Sequence, residues 1–405
     1  MALLGYLYNI DSDRQICEEV GYNLAYRWFC KLSLKDSVPD HSSMTRIRDR
    51  FGEETFERIF TQILDQCRKS GLVTLKQMMV DGSVIQANAS VHKMKVREVT
   101  NGARRAALSS KSRFSPVDPE ATLARKSGQS KILGYKTHSA IDADSRVIVD
   151  CFVTTAAVAE VSVFKERVEK IETETGLKIG EMIADRGYGS SEALKFLSDS
   201  DIESNIPLWN SRSGETFLKQ LESGFIIDPG SNKVTCPEGH EMRFSSHDKP
   251  SGRDLYVLPR TTCHACPRAK SCLTKYEFKN RGKKFGVINE YKTILETTLK
   301  SNTETFKIKL VERMWKMEGI FAEAKAHHGM RRARYRGRAK VQIQVYMTST
   351  LQNLKRLASV ALKGTIGGKI ELTKPFQSAF LFCSRFSSKF RLVEFELNGL
   401  FQQAL

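Results

Sequence analysis

Two short apolar runs constrain this chain more than any other feature. Leu75 to Gln86 reads as a strand with Asp81 and Gly82 at its polar break. Gly180 to Ala184 reads as a second strand that runs into Asp185, Arg186 and Gly187. Runs of this kind belong in a sheet covered by other elements, and an acid at the tip of each can converge on one point at the sheet edge. Between them, Gly134 to Ala156 holds two β-rich runs about a turn at Asp142 to Ser145, a hairpin signal. Helical text covers Ala159 to Thr175 and Ser191 to Ser198, and a further strand ends at Ile206-Pro207. The order strand, hairpin, helix, strand, helix, strand predicts an α/β fold with a mixed, partly antiparallel sheet flanked by helices.

The first 70 residues read as helices. Ser12 and Gln15 form a capping-box pattern. Ile16, Val20, Leu24, Trp28 and Leu32 then recur at spacing four and predict one amphipathic helix, which Pro39 breaks. Ser42 or Ser43 can cap a short basic segment, and Glu53 to Lys69 carries Phe56, Ile59, Phe60, Ile63 and Leu64 on one face. Three short helices with a basic middle suit a DNA-binding module or a structural bundle, and spacing does not separate the two. The chain opens inside apolar text, which hints at a missing N-terminal piece or an alternative start. The expected divisions are 1–72, a helical N-terminal domain; 73–209, the first part of the α/β domain; 210–288, a cysteine-rich insertion; 289–360, its C-terminal helical part; and 361–405, a Phe-rich tail with no assigned role.

Across 405 residues, 64 Lys and Arg face 46 Asp and Glu, a formal net charge of +18. An excess of that size points to a polyanion, most simply nucleic acid. The charge gathers in two places. Residues 91–136 hold 11 Lys/Arg against 3 Asp/Glu and read as a loop region with a helix near Glu98 to Leu108. Lys325 to Lys340 holds seven Lys/Arg and no acid. There Arg331, Arg332, Arg334, Arg336 and Arg338 are candidates for pairing with phosphate, and Tyr335 for stacking on a base. No apolar run reaches the roughly 18 residues of a membrane span. The best stretch, Val147 to Phe164, contains Asp150 and Glu160, and the N-terminus lacks a basic lead. A cytoplasmic protein with no membrane partner is expected.

Nine cysteines are too few for a disulfide scaffold in a chain this long. Cys17, Cys30, Cys67, Cys151 and Cys383 are scattered among apolar neighbours and read as packed thiols. Cys236, Cys263, Cys266 and Cys272 fall within 37 residues and can make a tetrahedral, structural Zn²⁺ site, with His240 and His264 as alternates.

A third acid can come from a helix packed on the sheet. Glu318 is the candidate, and Lys325, seven residues on, projects from the same face. Read as an ordered set, Met79-Val80-Asp81-Gly82-Ser83, Gly134-Tyr135-Lys136-Thr137-His138, Ala184-Asp185-Arg186-Gly187-Tyr188 and the Glu318 to Lys325 helix resemble bacterial insertion-sequence transposases of the DDE superfamily. Ala25 to Gly52 resembles the helical N-terminal domain of that group. The resemblance covers about residues 1–360. It implies an RNase H-like catalytic domain, with Asp81, Asp185 and Glu318 holding Mg²⁺ or Mn²⁺ and Lys325 beside them. It also implies double-stranded DNA, as element ends and target, for substrate, and a homodimer in the DNA complex. The family's helix signature is Tyr, two residues, Arg, three residues, Glu, six residues, Lys. Glu318 and Lys325 keep that spacing, whereas the Tyr and Arg positions hold Val311 and Met314, with Arg313 one residue away. The implied activity is metal-dependent cleavage of element ends and their joining to target DNA. The rival is a zinc-containing DNA-binding protein derived from a mobile element and without catalysis.

Overall fold

The computed structural model describes residues 1–96, 113–124, 131–209, 211–228, 233–248, 253–288 and 290–367. The helix expected near Glu98 to Leu108, Cys383 and most of the tail lie outside them. The chain forms two compact units, one of Met1–Ile183 with Val311 onward, the other Ala184–Leu310.

The first unit begins with four helices, α1 (Ala2–Leu7), α2 (Asp13–Tyr22), α3 (Leu24–Phe29) and α4 (His41–Lys69). Ser12 caps α2 by accepting from the Gln15 amide. The single helix expected from Ile16 through Leu32 is instead two. Asn23 takes extended backbone and its side chain accepts from the amides of Ala25 and Tyr26, which ends one helix and starts the next. Leu24 and Trp28 are accordingly exposed, while Leu4, Ile16, Val20 and Tyr26 form a small core. The cap of α4 is Asp40, not Ser42 or Ser43. Gly52, at φ 65°, kinks α4, so that the basic segment and the Glu53 helix are separate runs, as the sequence implies. Phe56, Ile59, Phe60, Ile63 and Leu64 are all buried.

The sheet follows. It comprises β1 (Gln77–Gln86), then, after a two-stranded side ribbon of β2 (Lys95–Val96) and β3 (Arg113–Phe114), β4 (Thr122–Ala124), β5 (Ile132–Asp142), β6 (Ile148–Thr155) and β7 (Glu181–Ile183), with helix α5 (Val161–Thr175) before β7. β5 is antiparallel to β1 on one edge, while β6 and β4 pair with its other edge end to end. β7 is parallel to β1 with Gln77 opposite Glu181, Met78 opposite Met182 and Met79 opposite Ile183. The expected hairpin is there: Asp142 Oδ1 accepts from the Asp144 and Ser145 amides and sets the turn between β5 and β6. Gly134 is required where it stands, since a Cβ would meet the Ile85 carbonyl oxygen at 2.1 Å.

The second unit contains α6 (Ser191–Asp199), β8 (Glu203–Asn205), α7 (Ser211–Glu222), β9 (Ile226–Ile227), β10 (Val234–Thr235), β11 (Glu241–Asp248), β12 (Arg253–Val257), three short helices α8 (Arg260–His264), α9 (Ala269–Cys272) and α10 (Lys275–Asn280), then β13 (Lys284–Ile288) and α11 (Tyr291–Ser301). Strands β9 to β13 form one antiparallel meander. Phe225 stacks on Phe285 at 4.7 Å, with Phe217 beside them.

Two long helices close the chain, α12 (Glu304–His327), which starts in the second unit and ends in the first, and α13 (Arg338–Gly367). Every residue of α13 from Val341 to Leu354 is buried, and α13 packs against α4 and β6. Its polar side chains serve the outer edge of β6. Gln342 accepts from the Val153 amide and donates to the Cys151 carbonyl. Asn353 accepts from the Ile148 amide and donates to its carbonyl, both at 2.8 Å. Backbone groups that a neighbouring strand would satisfy are thus satisfied by amides.

Candidate functional site

Asp81 lies within β1 opposite Ser139. One carboxylate oxygen accepts from the Gly82 amide at 2.8 Å. The other meets the Arg313 guanidinium at 2.7 Å, and Arg313 Nε donates to the Val80 carbonyl at 3.3 Å. Gly82 is close-fitted as well: a Cβ there would stand 2.8 Å from a Glu160 carboxylate oxygen, which is paired with Lys136 at 3.1 Å.

Arg313 belongs to the inner face of α12, with Lys316, Met317, Ile320 and Ala324, all buried. Glu318 is five residues beyond Arg313, about 140° round the helix, and is exposed. Val311 and Met314 share that outer side and are exposed, and Lys325, in line with Glu318, is half-buried. The α12 residue that reaches Asp81 is therefore Arg313. In the sequence it stands out only as a residue out of register with the family signature.

Glu323 faces inward. Burial alone would raise its carboxyl, but the hydrogen bond from His328, the Arg356 charge, Gln352 and Lys355 outweigh that and hold it well below the ordinary carboxylate range. His138, of the Gly134 to His138 run, is buried against Phe152, and burial, with Lys136 and Arg167 nearby, pushes it down to about 3. It is a neutral packing residue at physiological pH.

Asp185 belongs to the second unit. It caps the single turn Arg186–Tyr188 by accepting from the Gly187 amide at 2.7 Å. Gly189 ends the turn against Pro207, whose carbonyl oxygen would lie 1.9 Å from a Cβ.

The basic run divides by use. Arg331 and Arg332 are exposed, the latter donating to the Asn88 side chain. Arg336 is exposed and bonds the Asn88 carbonyl, and Arg338 pairs weakly with Glu53 at 3.8 Å. Arg334 departs from the expectation of a phosphate contact. Its side chain is 6% exposed, pairs with Asp11, bonds the Ile10 carbonyl and covers the Tyr6 ring at 4.1 Å. It fastens the N-terminal helices to the segment after α12. Tyr335 is likewise taken up, lying under the Arg48 guanidinium at 4.2 Å.

In the second unit, Cys236, Cys263, Cys266 and Cys272 all line one cavity of about 170 Å³, with Glu238, His240 and Lys283. Burial raises the Cys272 thiol; Lys283 works against that and the other three thiols add to it. His264 is engaged elsewhere, bonded to the Phe278 carbonyl at 2.6 Å and stacked on its ring. Among the described residues no three His, Cys, Asp or Glu side chains are already gathered to hold a metal ion.

Two family models match the chain. Residues 235–358 match a transposase DDE domain and residues 1–50 a transposase domain (DUF772). The first span includes Glu318, Lys325, the four clustered cysteines and the basic run, and neither Asp81 nor Asp185. No curated protein matches. Among solved structures, the chain is similar to a Mos1 transposase paired-end complex with left transposon end (8% identity over 48% of this chain and 57% of that one, TM-score 0.18). It is similar too to a piggyBac transposase synaptic complex with hairpin DNA (11%, 87% and 72%, TM-score 0.24) and to a Drosophila P element transposase strand transfer complex (10%, 97% and 89%, TM-score 0.23). The chain spans little more than half of two of the Mos1 chains it is similar to, 57% and 56%. The two matched spans, on a mixed α/β fold with a helical N-terminus, support a DDE-family transposase. They say nothing of a bacterial source.

Proposed function

We propose that the chain cuts double-stranded DNA at the ends of a mobile element and joins those ends to target DNA, with Asp81, Asp185 and Glu318 as its acid set and Lys325 beside Glu318. The observation that supports this most is the parallel register of β1 and β7. Met79 stands opposite Ile183, and Asp81 and Asp185 each follow two residues later. In the cutting step a water oxygen forms a bond to phosphorus and the bond to a 3′-oxygen breaks, leaving a 3′-hydroxyl. In joining, that hydroxyl attacks a target phosphorus and expels another 3′-oxygen. Each step exchanges one P–O bond for another and needs no protein nucleophile. The exposed arginines Arg331, Arg332 and Arg336, with Arg338, are proposed to hold phosphates, and the working DNA complex is proposed to be a homodimer in the cytoplasm.

The cofactor this reading calls for is Mg²⁺ or Mn²⁺, bound by oxygen ligands at about 2.0–2.1 Å for Mg²⁺. The residues as placed do not fit it. Arg313 takes up one oxygen of Asp81, and among the described residues no three His, Cys, Asp or Glu side chains are gathered to hold a metal ion. The same ion pair favours a second reading, a DNA-binding protein that no longer cuts, since a guanidinium on Asp81 neutralises the charge that would attract a cation. Plasmid nicking separates the two. The first reading expects nicking in Mg²⁺ or Mn²⁺ that chelator stops and that Asp81→Asn, Asp185→Asn and Glu318→Gln each abolish with DNA binding kept. Binding with no nicking by the native chain in either metal would leave the second.

A further inference from the structure

We propose that Cys236, Cys263, Cys266 and Cys272 bind one zinc ion as a tetrathiolate that ties the meander of the second unit to its short helices. This goes beyond the DNA chemistry above and does not depend on it.

The four thiols come from separate pieces of backbone, each shaped around its cysteine. Cys236 opens a tight loop in which its carbonyl accepts from the Gly239 amide and its amide donates to the His240 carbonyl, both at 2.9 Å. Gly239 supplies the positive φ, 82°, that this loop requires. Cys263 lies in α8, Cys266 two residues past its end, and Cys272 closes α9. The Cys266 amide donates to the Cys263 carbonyl, and the Cys272 amide to the Arg268 carbonyl. A metal bridging these thiols would close the interval from Cys236 to Cys263 across β11, β12 and the start of α8.

Their surroundings suit thiolates. The Lys283 amide donates to Cys263 Sγ at 3.3 Å, and the Lys283 ammonium lies 2.9 Å from the Cys272 carbonyl. Arg268 lines the cavity too. Four thiolates on one Zn²⁺ carry a net charge of −2; the Lys283 amide that donates to sulfur offsets part of it, while the Lys283 and Arg268 cations are themselves paired with Glu277 and Glu238. Ser223, Thr262 and Ser271 also line the wall, an odd lining for thiols that serve only to fill an apolar core. Cys67 and Cys151, by contrast, are each buried singly in the first unit. All four clustered cysteines are free thiols. Their sulfurs line the cavity without standing at ligand spacing, so zinc has to draw them in to about 2.3 Å. Four thiolates leave no open position, which makes the site structural.

The test uses the full chain, purified reduced and without chelator. Metal analysis should find one zinc per chain. A mercurial that titrates thiols should release it in step with four sulfurs, and refilling with Co²⁺ should give the strong sulfur-to-cobalt absorption and visible bands of a tetrahedral site. Cys263→Ser with Cys266→Ser should lower zinc to under a tenth of an equivalent, and Cys17→Ser should leave it unchanged. Reduced native protein that holds no zinc and takes up Co²⁺ without those bands overturns the proposal, whatever the variants do. A shift of the cobalt bands in His240→Ala overturns the four-cysteine ligand set.

Discussion

The two faces of α12 use the same residue types to opposite ends. Inward, Arg313 reaches Asp81, Lys316 bonds the Ala143 carbonyl, and Glu323 sits among His328, Lys355 and Arg356. Outward, Glu318 is exposed beside Val311 and Met314. The segment that follows repeats the division, with Arg334 inside and Arg331 outside. Polarity in this part of the chain is therefore no sign of surface. A charged residue on the inner side has a fixed partner and holds the fold, and one on the outer side is available to a ligand.

The largest effects should come from exchanging one residue on each face. Glu318→Gln should reduce DNA cleavage on the order of 100-fold or more with an unchanged melting temperature. Arg313→Ala should do the reverse in kind. It leaves Asp81 part-buried without its cation, and breaking such a pair costs about 3–5 kcal/mol, read as a lowered denaturant midpoint. If Arg313→Ala melts like the native chain while Glu318→Gln unfolds it, the faces are reversed.

Next comes the polar edge of α13. Asn353→Leu should leave the Ile148 amide and carbonyl without partners, at about 1–3 kcal/mol for each buried group. Hydrogen exchange at Ile148 should speed up more than at Met79, in the middle of the sheet. Equal acceleration at both would mean that α13 does not seal the edge of β6.

Glu323 sharpens the comparison by pH. Its carboxyl is held below its ordinary value in the folded chain, so the unfolded chain binds the extra proton. The stability it contributes is present above about pH 4.3, the ordinary Glu value, and is lost as pH falls below that toward the folded value. Melting temperatures of native chain and Glu323→Gln should differ at pH 7, and the gap should narrow progressively as pH falls below about 4.3, closing only near the folded value. A gap that persists there would show that the carboxylate charge is not what stabilises this corner.

How far the sequence discloses these roles depends on periodicity. The hairpin about Asp142, the Glu53 helix and the strands bearing or preceding the two aspartates are legible because apolar residues recur at the period of their element. Asn23 is not, because a cap interrupts a helical stripe without altering its spacing. Buried on every side, α13 has no stripe by which Gln342 or Asn353 could be told from a surface residue. Most of β11 is exposed, so the meander carries little alternation, and the cysteines were its one clear signal. Arg313 was visible only as a misfit to the family's helix signature; its pairing depends on which side of α12 meets the sheet, and that is a tertiary fact.

The smallest effect separates two arginines three residues apart. Each phosphate contact contributes about 0.9 to the slope of log affinity against log salt for duplex DNA. Arg331, exposed, should flatten that slope by up to this amount when changed to Ala, while stability stays within about 0.5 kcal/mol. Arg334 should leave the slope unchanged, because its guanidinium is held by Asp11, the Ile10 carbonyl and the Tyr6 ring. Its loss should instead weaken the attachment of the N-terminal helices and appear as faster proteolysis near Ile10. Should Arg334→Ala flatten the salt slope and Arg331→Ala not, the inner member of the pair would be the one that meets DNA, and the division drawn from α12 would not extend beyond that helix.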